Sequence, residues 1–170
     1  MSEKTSGSTK SSRSGSNKKS SKSSSNSKST SSGGSTSKAL DVATSIAKNN
    51  RYGYSRNNRW GNPSYDCSSF VITCWEKAGV PVKSKYGATY TGNMRKAFVN
   101  AGFKCYRLSP NQTFKLKKGD VLLNEGVHAA MYYGNGKIID ATEHPANGDQ
   151  IGVRQNSSGY GWQYVLRYEG

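Results

Sequence analysis

The sequence predicts an α+β domain in which helices come first and an antiparallel sheet follows. Two observations carry this. Apolar residues recur at helical spacing in the first half of the folding part, whereas its second half alternates in short runs separated by turn residues. Helices followed by hairpin-linked strands argue for helices packed on an antiparallel sheet.

The elements follow in order. Residues 1–38 are mostly Ser, Lys, Gly, Thr and Asn, with Met1 the only apolar side chain. Such a segment has nothing to bury, and chain entropy keeps it unfolded as a tail or linker. Residues 39–170 remain for one domain of ordinary size. Ala39, Leu40, Ala43, Ile46 and Ala47 place a first helix over about 38–48, with Ser37 as its N-cap. Residues 51–64, rich in Asn, Tyr, Arg and Gly, read as a loop. A second helix over 67–78 presents Phe70, Val71, Cys74, Trp75 and Ala78, and Gly79 suits its C-terminus. A third over 91–101 presents Met94, Ala97, Phe98 and Ala101. Strands are expected at 103–108, 120–123, 127–133, 137–142, 151–154 and 162–168.

The net charge is +15. Seven Lys, one Arg and one Glu give the tail +7, which leaves +8 on the folding part. Both parts favour an anionic partner, and charge alone does not choose between nucleic acid, membrane and wall polymer. No recognisable nucleic-acid motif is present. No apolar run approaches the ~18 residues of a membrane span, and no apolar signal region follows the basic N-terminus. A protein acting outside a cell would then need delivery by another route.

Three cysteines, Cys67, Cys74 and Cys105, with no C-x-x-C, argue against a disulfide scaffold or a Cys-rich zinc site. Taken alone, any of them reads as a small buried hydrophobe. Cys67 differs because it falls in the first turn of a helix, where unpaired N–H groups and the dipole stabilise a thiolate. Of the two histidines, His128 opens a strand, and His144 sits in a loop-like stretch before Pro145.

A base needs an orienting partner on its second ring nitrogen. The Gly134-Asn135-Gly136 turn pairs the His128 strand with the next. A three-residue loop places Asp140 diagonally from His128 on the same face, roughly 7–8 Å away between backbones. A two-residue loop brings Glu143 opposite instead, because a one-residue slip flips every side chain. Asp140 is favoured and Glu143 is the alternative.

Tyr65-Asp66-Cys67-Ser68-Ser69-Phe70-Val71 resembles the D-C-S-[GS]-[LF]-V nucleophile motif of the NlpC-type cell-wall peptidases, which are papain-like cysteine hydrolases. Lys118-Gly119-Asp120-Val121-Leu122 with His128 after it, and Gly134-Asn135-Gly136-Lys137-Ile138-Ile139-Asp140-Ala141, resemble that family's following blocks, in its order. The resemblance implies a papain-like NlpC-type fold without metal or cofactor, and catalytic Cys67, His128 and Asp140. The family's third position is usually another His or a polar residue, so Asp140 is a mild departure. Tyr54, in a segment similar to the family's aromatic/Gly stretch, is the candidate tyrosine pointing at the site. Trp60, Asp66 and Ser68 are further candidates for substrate contact or helix-start support.

The implied reaction is hydrolysis of a peptidoglycan stem-peptide amide, commonly after D-Glu. Alternatives are cleavage between sugar and L-Ala, as in an N-acetylmuramoyl-L-alanine amidase, and a non-catalytic basic protein that binds wall or nucleic acid. Expected partners are peptidoglycan and anionic wall polymers, with no nucleic acid. The domain is expected as a monomer acting in the bacterial cell wall, brought there as a phage-released or virion-borne lysin or by a non-classical route.

Overall fold

Asp66, Gly79 and Gly102 mark three helix ends, and the chain breaks its helices at all three. The computed structural model describes residues 32–111, 113–145 and 148–170. A compact unit spans Ser35–Glu169. The expected unfolded tail lies, for residues 1–31, outside the described residues.

Three helices come first: α1 Ser32–Ala47, α2 Cys67–Lys77 and α3 Thr91–Asn100. Gly79 and Gly102 follow the last two with φ of 96° and 109°, the left-handed region that only Gly enters without strain. The first helix departs from expectation. It starts at Ser32, so Ser37 lies inside it and is not its N-cap. The physical reason is that periodicity reports burial, not helicity. Ala39, Ala43 and Ile46 are the buried stripe, and the turns ahead of them hold no apolar side chain for the pattern to register.

Six strands follow: β1 Phe103–Arg107, β2 Val121–Asn124, β3 His128–Gly134, β4 Lys137–Ala141, β5 Ile151–Gln155 and β6 Tyr164–Tyr168, with a 3₁₀ turn Ser158–Tyr160 before the last. They form one antiparallel sheet in the order β1-β6-β2-β3-β4-β5. β6 therefore returns to slot between β1 and β2. Alternation along the strands sends residues to two faces. Val121, Leu123, Ala129, Met131, Ile139, Ala141 and Leu166 join the three helices in the main core. Leu122, Ala130, Ile138 and Val165 form a smaller cluster covered by Tyr106, Leu108, Phe114, Leu116, Tyr160 and Trp162. Trp75 anchors the main core edge-on against Phe103, with ring centroids 4.7 Å apart.

The Gly119-Asp120 motif proves to be a structural clamp. Asp120 is 2% exposed, and its carboxylate accepts from Arg167 Nε at 2.8 Å and Nη2 at 2.7 Å, and from Lys117 N at 2.8 Å. Gly119 has φ of 90° and packs so closely on α1 that an added Cβ would collide with Thr36 Cγ2. This clamp fixes the entry to β2, the strand that pairs with the His128 strand.

Candidate active site

The start of α2 is built by its own sequence. Asp66 is extended and caps the helix: Ser69 N donates to its Oδ1 at 2.8 Å, and Asp66 N donates back to Ser69 Oγ at 2.9 Å. This reciprocal box satisfies two backbone donors at the helix mouth. Ser68 Oγ donates to Asp66 Oδ1 at 3.0 Å, and Arg59 Nη1 lies 3.4 Å from Asp66 Oδ2. Cys67 is thereby held as the first residue of the helix, partly exposed.

Burial distinguishes the three thiols. Cys74 is fully buried, and desolvation pushes its pKa far up. Burial also raises Cys105. Both environments favour the neutral thiol. Cys67 instead is partly exposed and sits close enough to His128 to push that imidazole's pKa up.

His128 opens β3, immediately after the Gly126 turn, whose N–H donates to Thr91 Oγ1 at 3.1 Å. The hairpin register contains both expected pairings. Met131 faces Ile139 and Tyr132 faces Ile138, as a three-residue loop requires, while Gly134 faces Lys137, as a two-residue loop requires. A bulge between Tyr132 and Gly134 reconciles them. Beyond the bulge, Asp140 shares a face with His128, and its Oδ2 lies 2.7 Å from His128 Nε2. Glu143 lies past the end of β4, half-exposed, 4.0 Å from His144.

Burial lowers the His128 pKa, whereas hydrogen bonding and charge from Asp140 and Cys67 raise it, and the net result is a value raised to about 9. Since Asp140 occupies Nε2, Nδ1 is the nitrogen left for Cys67. The arrangement can pass a proton between a thiol and an imidazole whose tautomer is fixed from behind.

The remaining expected residues surround the helix mouth. Tyr54 is joined to Tyr65 by a β-bridge, and Gln150 Oε1 accepts from its N at 3.0 Å. Its hydroxyl accepts from Arg56 Nε at 3.4 Å. Trp60, 38% exposed, is flanked by Arg59 at 4.7 Å and Lys83 at 4.6 Å. The Asp66 side chain is 15% exposed and caps the helix, while Ser68 is 2% exposed with its hydroxyl spent on Asp66. For these two the structure shows helix-start support.

Sequence reasoning missed three neighbours. Arg154 Nε donates to Asp140 Oδ1. Tyr160 and Trp162 stack on the His128 ring, each with centroids 5.8 Å away and planes within 13° and 21°. An aromatic pair in a Gly-rich segment was a visible signal for the latter two. The loop between β4 and β5 hides the register that would have located Arg154.

Two cavities, of about 580 and 520 Å³, share Asn49 and Tyr52, and neither is lined by Cys67 or His128. Among the described residues no group of three or more His, Cys, Asp or Glu could hold a metal ion, and no helix is long and apolar enough to cross a membrane.

Residues 62–139 match the family model of the endolysin-like domain, a span that includes Cys67 and His128. The fold is similar to the P60 domain of an antigen from M. avium subspecies paratuberculosis, with TM-score 0.52 and 17% identity, covering 81% of this chain and 96% of that one. It is also similar to the peptidoglycan hydrolase RipB from Mycobacterium tuberculosis, with TM-score 0.50 and 20% identity, covering 82% of this chain and 67% of that one. A search of curated proteins found no match.

Proposed function

We propose that this chain, which carries an endolysin-like domain with the NlpC-type fold, is a peptidoglycan hydrolase that cuts a stem-peptide amide through Cys67. The carrying observation is His128 held at 2.7 Å by the buried Asp140 and coupled electrostatically to Cys67 at the mouth of α2. The endolysin-like match and the likeness to the peptidoglycan hydrolase RipB support the substrate class.

In the proposed mechanism His128 takes the Cys67 proton, and the thiolate attacks the amide carbonyl to form a tetrahedral intermediate. The Cys67 backbone N–H, at the mouth of α2, helps hold the oxyanion. The intermediate collapses as His128 gives its proton to the leaving amine, which leaves a thioester on Cys67. Water, deprotonated by His128, adds to the thioester and releases the acid and the free thiol. A His128 pKa of about 9 keeps the proton available for the leaving amine near neutral pH. In this reading Trp60 and Tyr54 are the substrate-contacting residues, and the net charge of +15 draws the protein to anionic wall polymers. The place of action is the bacterial wall.

Digestion of purified peptidoglycan, with mass spectrometry of the fragments, tests this. A new amine on the residue after D-Glu supports the endopeptidase; a new amine on L-Ala would move the bond to the sugar–peptide junction. Cys67→Ala is expected to abolish release, and full lytic activity in that variant would end the proposal.

A further inference from the structure

Asp140 is wholly buried, and its two oxygens serve different partners. Oδ2 holds His128 Nε2 at 2.7 Å, and Oδ1 accepts from Arg154 Nε. The same guanidinium reaches on through Nη2 to the Asp149 carbonyl at 2.9 Å. In the β4–β5 pairing Arg154 faces Ile138 and Gly152 faces Asp140. The guanidinium therefore reaches Asp140 diagonally, beside a position that carries no side chain. Its own side chain is 11% exposed, so water screens the pair little.

We propose that Arg154 is a positioning residue of this site: it fixes the Asp140 carboxylate against His128, and its charge limits how tightly His128 holds its proton. The turnover arm of this proposal rests on the hydrolase reading; the titration arm does not.

The physical case has two parts. A carboxylate with one partner can rotate about its last side-chain bond. With Nε on one oxygen and the guanidinium tied to the Asp149 carbonyl, that rotation is blocked, and Oδ2 stays aimed at Nε2. The second part is charge. The groups facing His128 are Asp140 from β4, Cys67 from α2, Tyr160 from the 3₁₀ turn and, behind Asp140, Arg154 from β5. Asp140 pulls the imidazole toward its protonated form. Arg154 is the cation of this set and offsets that pull. Without it, the histidine–carboxylate pair retains its shared proton to higher pH, wherever between the two that proton sits.

The chain has two histidines, and the His144 side chain is 89% exposed, which gives an internal control. Ring-proton NMR titrations of the full chain, of Arg154→Gln and of Arg154→Lys read both at once. Arg154→Gln is expected to raise the His128 midpoint by about one unit or more while His144 stays put. Arg154→Lys keeps the cation but not the fork. Its His128 midpoint is expected near the parent's, while kcat for wall digestion falls by about ten- to a hundredfold with KM little changed. An unmoved His128 midpoint in folded Arg154→Gln would overturn the proposal. Should Arg154→Gln not fold, Arg154→Lys decides: turnover equal to the parent's would equally overturn it. A parent that releases nothing from peptidoglycan would sink the hydrolase reading alone, and the titration would still decide the role of Arg154.

Discussion

Replacing His128 with asparagine should flatten the dependence of stability on pH above neutrality. The histidine pKa rises on folding from 6.5 to about 9, so the folded state binds this proton more tightly than the unfolded chain does. Its contribution is complete below pH 6.5 and is lost as pH climbs through about 9. At ~1.4 kcal/mol per unit, the shift corresponds to about 3 kcal/mol. The side chain is 15% exposed, so solvent screening reduces this figure only modestly. Urea denaturation of parent and His128→Asn, between about pH 6 and about pH 9.5, measures it. The parent should lose about 3 kcal/mol more than the variant across that window. Other groups with raised pKa, such as Tyr160 and Cys74, remain in both proteins and cancel in the difference. Parallel loss in the two proteins would refute the claim that Asp140 and Cys67 stabilise the imidazolium.

Three further outcomes are expected. Asp140→Ala should cost about 3–5 kcal/mol in chemical denaturation, because it strips the partner from the largely buried Arg154 guanidinium and from His128 together; a loss below about 1 kcal/mol would contradict the buried-pair reading. Asp66→Ala should lower stability by about 1–2 kcal/mol through loss of the N-cap, and the thermal midpoint should drop while the sheet's circular-dichroism signal persists. Gly119→Ala should destabilise by more than about 1 kcal/mol, since the position has φ of 90° and faces Thr36. Adding Thr36→Ala should restore the steric part and leave the backbone part, so full recovery in the double variant would show that the φ requirement is unimportant.

Much of the fold is legible in the sequence because its signals are local. A helix that buries one face writes that face at fixed spacing, as Phe70, Val71, Cys74 and Trp75 do in α2. Gly79 and Gly102 mark helix ends because their backbone angles exclude side chains. The same logic fails at α1, whose first turns hold no apolar residue.

Composition, periodicity and turn chemistry determined which residues form helices and strands, and set Cys67 at a helix mouth. They also narrowed the orienting residue to two. Choosing between Asp140 and Glu143 took the hairpin itself, where a bulge lets both registers coexist and delivers Asp140 to His128. Only tertiary structure could place Arg154, Tyr160 and Trp162 around that pair. They arrive by β4–β5 pairing and by the turn before β6, contacts between residues distant in the chain. A short window of sequence carries the energy of its own turn, and the free energy that selects a long-range pairing is shared among all the strands that join it.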